Sequence, residues 1–284
     1  MKIRPSTLTF ADVRRVIEEA RDAELCRNLD LFREILSSFW KDIESEPELT
    51  LFAPTTQAEL LRLSGVFLSH FGRARGLTDY QLRAKNILTR AVELFEIHRL
   101  NEKAAETKVV LANCYWFAGE IMEYDDILRA VEAEFNTDPK NPVLIQIKLN
   151  RLLVANWRQD KKESEHLIKE ITREISIRHD FRLRTQFHNL AGIACRIAND
   201  LIQAALHANK AVRIARENRN HIFLAMSLNN LAFVYRVAGQ LDQALATSDE
   251  AIAITVAHGD KVGLRIFLTP RRLFTLTRAN TTKL

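Results

Sequence analysis

Glycine, proline and cysteine are all scarce. The 284 residues include only 8 Gly and 6 Pro. A sheet-rich chain of this length needs more turn residues, so the scarcity argues against a β architecture. The three cysteines, Cys26, Cys114 and Cys195, are odd in number, far apart and form no CxxC pair. That argues against a disulfide framework and fits a reducing, cytoplasmic compartment with buried thiols. Long apolar runs are missing too. The uncharged stretch from Ile222 to Tyr235 contains Asn229 and Asn230 and falls short of the roughly 20 apolar residues of a membrane span. No apolar segment follows Lys2 and Arg4, as a secretory signal would require. A membrane partner is therefore not expected.

Motifs that carry chemistry are also missing. The sequence contains no GxxxxGK[ST], GxGxxG or HExxH. His166 follows Glu165, but no second His stands four residues away to complete a metal face. His188 and Cys195 lie seven apart on one helix face, a spacing open to a thiol–imidazole pair but more simply read as two groove-lining positions. Glu123, Asp125 and Asp126 cluster where a helix start would favour negative charge. The sequence thus suggests no enzyme, catalytic residue, metal or cofactor.

What is present is helix-forming. Hydrophobic residues make up 47% and charged residues 27% of the chain, enough for a packed core with solvated faces. The net charge of +5 is unevenly spread. Residues 1–50 hold 8 basic and 11 acidic side chains, residues 151–220 hold 14 and 8, and residues 260–284 hold six and one. A basic C-terminal half could favour acidic partners, but solvated helix faces account for it more simply, and direct nucleic-acid binding is not expected.

Small residues then mark a repeat. In NNLAFVYRVAGQLDQALATSDEAI, residues 229–252, the small positions are Ala232, Gly239, Ala244 and Ala251. Aligning HNLAGIACRIANDLIQAALHANKAV, residues 188–212, matches Leu190 with Leu231 and Ala191 with Ala232, then Ala204 with Ala244 and Ala211 with Ala251. Leu111, Ala112, Tyr115 and Gly119 follow the order of Leu231, Ala232, Tyr235 and Gly239. A period of roughly 40 residues marks stacked helical hairpins. Ala232 and Ala244 let two antiparallel helices approach, since bulkier side chains would hold the axes apart. Gly239 ends the first helix in a left-handed conformation.

The pattern Leu231-Ala232-x-x-Tyr235, Gly239, Ala244, Ala251 resembles the tetratricopeptide repeat family, whose usual repeat is about 34 residues. The longer repeat here implies helices extended by about a turn. The expected fold is all-α, a superhelical stack of about six antiparallel helical hairpins. Residues 1–258 form the repeat domain, with hairpins at 9–43, 56–98, 102–136, 143–178, 182–217 and 220–258, and 259–284 form a truncated or diverged basic tail. In 56–98, Gly65 takes the small position of the first helix, and the connection RARGLTDY looks longer than the others. Asp160 is a candidate cap. Pro270 interrupts the tail. If the tail lacks a partner helix, it either folds back over the last hairpin or leaves an edge through which two chains form a homodimer.

The resemblance implies a groove lined by positions two, five, nine and twelve of each first helix. These are Glu106, Val109, Asn113 and Trp116; then Thr185, His188, Gly192 and Cys195; then Met226, Asn229, Phe233 and Arg236. Such side chains suit a protein or peptide partner held through its backbone or a carboxylate. The expected function is a non-catalytic protein-interaction scaffold. FWKDIESEPEL, AELLRLSGVFLSHFGRARGLTDYQLRAKNILTRAVELFE and ETKVVLANCYW resemble, more narrowly, the repeat arm of bacterial regulators that carry a C-terminal Fis-type helix-turn-helix. The alternative function is therefore a sensory or regulatory arm lacking its DNA-binding domain.

Overall fold

The computed structural model describes residues 10–25, 28–135, 141–175, 179–260, 263–264 and 266–268. Cys26, Pro270 and the rest of the tail lie outside them. Twelve α-helices, with further helical residues at 263–264 and 266–268, make up the regular structure of the described residues, and no strand occurs among them. The chain divides into two units, residues 1–137 and 138–284. The first holds α1 (Phe10–Leu25), α2 (Leu29–Leu36), α3 (Pro54–Arg75), α4 (Asp79–Ile97), α5 (Asn101–Ala118) and α6 (Ile121–Phe135). The second holds α7 (Pro142–Arg158), α8 (Lys161–Ile175), α9 (Phe181–Ile197), α10 (Leu201–Glu217), α11 (His221–Val237) and α12 (Leu241–Ala257). Consecutive helices pack as hairpins, the tetratricopeptide-like α-solenoid arrangement.

Local chemistry sets the ends of each helix. Asn141, Asp180, Asp200 and Asn220 accept hydrogen bonds from backbone amides of the first turns that follow them. Asp160 does the same for Glu163, at 3.0 Å. Pro54 opens α3, and Pro142 opens α7, at positions where a missing N–H costs nothing. At the C-terminal ends, φ turns positive at Gly119, Gln159, Asn199 and Gly239, each standing one repeat after the last at an even interval. The same spacing relates Arg219 to Gly259. Left-handed backbone costs a residue with a Cβ roughly 1–2 kcal/mol. That Gln159 and Arg219 nonetheless adopt it indicates that the packed helices, not the turn residue, impose the geometry.

Two expectations about the N-terminal region change. The extra residues in RARGLTDY do not lengthen the connection; they extend α3 to 22 residues, capped by left-handed Gly76. The expected helix 29–43 stops at Leu36. Beyond it Phe39 and Trp40 are buried through turns, and Trp40 Nε1 donates to Ser45 O at 3.0 Å. Of the other tryptophans, Trp116 is half-buried and Trp157 is 59% exposed.

Within each unit the first helices of successive hairpins touch: α1 with α3, α3 with α5, α7 with α9, and α9 with α11. Successive second helices make no such approach among the described residues. A row that closes on one side and splays on the other curves towards the closed side, which places the first helices inside. In the first unit a buried carboxylate ties this row together. Glu59 on α3 is paired with Arg21 of α1 at 2.8 Å and with Lys103 of α5. Burial alone would raise the pKa of Glu59, but Lys103 and Arg21 outweigh it and hold the carboxyl below its usual value.

The hairpins close where side chains are smallest. Ala232 and Ala244 are fully buried and packed together with Phe233, Tyr235 and Leu245. A Cβ at Gly65 would sit 2.5 Å from Leu88 Cγ. Ala251 packs in the last cluster with Phe267, which is only 2% exposed. The chain after α12 thus lays at least one side chain on the final hairpin, and Asp260 caps that segment by accepting from Gly263 N at 2.8 Å. Ala232→Leu and Ala244→Leu should each cost about 1–3 kcal/mol through overpacking. Thermal or urea unfolding measures this, and curves unchanged by both substitutions would place these residues away from the helix crossing.

Candidate functional site

Met226, Asn229, Phe233 and Arg236 recur at helical spacing along one face of α11. Asn229 is buried, whereas Met226, Phe233 and Arg236 are half-buried. The matching residues of α9 are not those the sequence alignment indicated. That alignment paired Ala191 with Ala232, one residue more than the interval between the left-handed turns at Asn199 and Gly239. Gly192 is therefore the counterpart of Ala232. A Cβ at Gly192 would lie 3.3 Å from Ala204 O, so Gly192 is the small residue at the crossing with α10.

The one-residue slip displaces all four expected residues of α9, Gly192 to the crossing and the other three elsewhere. Thr185 is fully buried and its hydroxyl donates to Phe181 O at 2.7 Å. His188 turns to α10, where its Nδ1 lies 3.0 Å from Nδ1 of His207. Cys195 lines a separate cleft of about 150 Å³ with Asn156, Ser164, Ile168 and Asp200. In true register, Gln186, Asn189, Ile193 and Arg196 stand where α11 has Met226, Asn229, Phe233 and Arg236. The signal was present in the sequence: Gly119 and Gly239, three periods apart, already imply the shorter shift.

Asn189, Ile193 and Arg196 of α9 meet Asn230, Phe233 and Val234 of α11 around a cleft of about 230 Å³, with Gly192 and Ala208 at its base. Asn189 Nδ2 donates to Ser227 Oγ at 3.0 Å. The Oδ1 atoms of Asn189 and Asn229, one repeat apart, are buried and accept no hydrogen bond within the protein. Such buried acceptors are costly unless a donor arrives. The guanidinium carbons of Arg196 and Arg236 each lie 5.7 Å from the centre of the Phe233 ring. Burial, and then the charge of Arg236, lowers the pKa of Arg196 from its usual value.

The first unit places the other four expected residues on α5. Glu106 is exposed, Val109 is buried, and Asn113 and Trp116 are half-buried. The Trp116 ring packs 5.3 Å from that of Tyr124 on α6. No group of three or more metal-ligating side chains occurs among the described residues. None of the described helices is long and apolar enough to cross a membrane. The thiol–imidazole pair finds no support in this geometry: His188 is engaged by His207, and burial followed by Asp200 raises the Cys195 pKa, disfavouring the thiolate.

No family model matches the chain, and no curated protein sequence matches it. Solved structures do. NprR in complex with its cognate peptide NprX aligns over 96% of this chain and 79% of its own, with a TM-score of 0.68 at 14% identity. A Rap protein complexed with competence and sporulation factor aligns over 96% and 74%, with a TM-score of 0.63 at 11% identity. Aspartyl phosphate phosphatase F from Bacillus subtilis aligns over 94% and 80%, with a TM-score of 0.59 at 12% identity. At these identities the likeness is one of fold: this chain has the tetratricopeptide-like repeat fold that those proteins share.

The histidine pair gives a pH signature. Burial first, then His207 and the cations Lys210, Arg184 and Arg213, lower the pKa of His188 to about 4; burial and Lys210 lower that of His207. Both folded-state values lie below the unfolded value near 6.5, so protonation favours unfolding. The neutral pair's stability is complete above pH 6.5 and is lost as the pH falls towards 4. Denaturant titrations should show a loss of about 1–2 kcal/mol across that window, after allowance for screening at a half-buried site. His188→Gln should flatten the profile, and an unchanged slope would show that the pair does not titrate in this way.

Proposed function

We propose that the chain is a non-catalytic interaction module that holds a peptide or helix against the face of its first helices. The observation that carries this is the pair Asn189, which lines the cleft, and Asn229, buried one repeat further on, each with an Oδ1 that accepts no hydrogen bond within the protein. An extended peptide presents N–H donors to such acceptors, and Ile193 and Phe233 supply apolar contact next to them. The fold shared with NprR, whose crystal structure holds its cognate peptide NprX, supports the same reading. On α5, exposed Glu106 and half-buried Asn113 and Trp116 are proposed to form a second contact stretch, with Val109 buried beneath them. Thr185, His188 and Cys195 have no part in the face.

Selection of a displayed peptide library on the purified chain tests this proposal. Enriched peptides should bind Asn189→Ala and Asn229→Ala about tenfold more weakly, as expected for one lost hydrogen bond to a buried group. Failure to enrich any peptide, or affinities untouched by both substitutions, would overturn it.

The alternative is a regulatory arm that passes peptide binding to a separate DNA-binding partner. It draws on the sequence resemblance of residues 20–258 to bacterial regulators, and it uses the same face. Self-association through the last hairpin is proposed on Ile266 and Leu268, each 39% exposed beside buried Phe267. Light scattering should show a concentration-dependent dimer, reduced by Ile266→Lys; a chain that stays monomeric at high concentration rejects it.

A further inference from the structure

We infer that Arg184, His188, His207, Lys210 and Arg213 form a site for a phosphate group on the α9–α10 hairpin, apart from the proposed peptide face. A comparison of equivalent residues carries this. The left-handed turns at Gly119, Gln159, Asn199 and Gly239 stand at one even interval, and by that interval Lys108, Lys148 and His188 are equivalent. Lys108 on α5 is paired with Glu96 of α4 and Glu134 of α6, each at 2.9 Å. Lys148 on α7 is paired with Glu174 of α8 at 2.6 Å and with Glu170 at 3.6 Å. On α10 the place of Glu174 falls to Ile214 and that of Glu170 to Lys210. The second helix therefore brings a cation where the preceding hairpin has an acid. The facing residue of α9 is His188, its Nδ1 3.0 Å from Nδ1 of His207, with the Phe187 ring against both imidazoles. Arg184 lies one turn from His188 on α9, and Lys210 and Arg213 follow His207 at successive intervals of one turn on α10. Because the helices run antiparallel, both steps lead to the same end of the hairpin. The three cations are exposed and the two rings half-buried, so solvent reaches the cluster. No carboxylate is among the charges that act on either imidazole, and Glu217 pairs with Arg213 at 3.9 Å in an exposed contact that water screens. A phosphate group carries nearly two negative charges and three strong acceptor oxygens, enough to engage donors of both helices at once. The imidazole that accepts at Nδ1 keeps its proton on Nε2, one more donor for the anion.

The test uses the full chain and four probes at equal ionic strength: inorganic phosphate, N-acetylphosphoserine amide, acetate and chloride. Either phosphate should shift the imidazole resonances of His188 and His207 saturably at millimolar concentration, while acetate and chloride do not. A tighter response to one of the two phosphates identifies the source as free phosphate or a phosphorylated side chain, and equal responses show that the phosphate group alone is read. Lys210→Glu restores the acid of the preceding hairpin and should abolish the response. Arg184→Gln should weaken binding about tenfold, the loss of one charge-assisted hydrogen bond. Bound phosphate favours the imidazolium form, since the charges facing the pair, Arg184, Lys210 and Arg213, are all cationic and the anion offsets them. The folded-state values of both histidines should then rise towards 6.5, and the loss of stability between pH 6.5 and 4 should shrink in phosphate. No saturable shift, an equal shift with acetate, a response retained in Lys210→Glu, or an acid profile indifferent to phosphate would each overturn the inference. Should Lys210→Glu fail to fold, Arg184→Gln, altered at an exposed position, and the resonances of the unaltered chain decide the question. Peptide binding at α9 and α11 stands or falls separately, since none of these substitutions touches Asn189 or Asn229.

Discussion

The close approach of paired helices at small residues is the constraint on which the rest of the structure depends. Ala232 packs with Ala244 in one buried cluster, a Cβ at Gly192 would press on the Ala204 carbonyl, and one at Gly65 would clash with Leu88. Where two helices touch this closely, their crossing point is set, and so is the rotation of each helix about its axis. That rotation decides which side chains of the first helix turn inward to the second and which remain on the free face. His188 is turned to α10 and Arg196 is left on the cleft because Gly192 occupies the crossing.

The turns are subordinate to that packing. Left-handed backbone recurs at one fixed interval whether the residue is Gly119, Gln159, Asn199 or Gly239. Glycine relieves strain at some of these turns, but its absence does not move the others. The repeat is therefore more regular in three dimensions than in sequence, and its period is longer than the one usual for the family it resembles. The added length lies in the helices: α9 to α12 each have 17 residues.

A row of first helices in contact brings equivalent residues of successive repeats side by side. In the second unit this places like side chains at equivalent positions: Asn189 with Asn229, and Arg196 with Arg236. Buried acceptors without donors and like charges held against one ring are a poor way to stabilise a fold. Under the proposed function, a bound peptide would supply the donors that the asparagines lack.

Several features were legible from sequence because they depend on local chemistry. Scarce Gly and Pro, periodic apolar residues and small residues at fixed spacing specify amphipathic helices that must pair. Asp160 as a cap, Gly65 at a crossing and Gly239 in a left-handed turn follow from single residues and their neighbours. That Met226, Asn229, Phe233 and Arg236 share one helix follows from the same local periodicity. The equivalent set in α9 was not legible, because Ala191-Gly192 offers two adjacent small residues and composition does not say which one meets the next helix. Only packing against Ala204 selects Gly192, and a slip of one residue rotates a helix by about 100°, enough to exchange Arg196 for Cys195. Nor does sequence show that Asn Oδ1 atoms one repeat apart are buried without donors, or that two arginines share one phenylalanine. Those facts arise between helices, where the rotation fixed by each crossing brings residues distant in the chain onto one face.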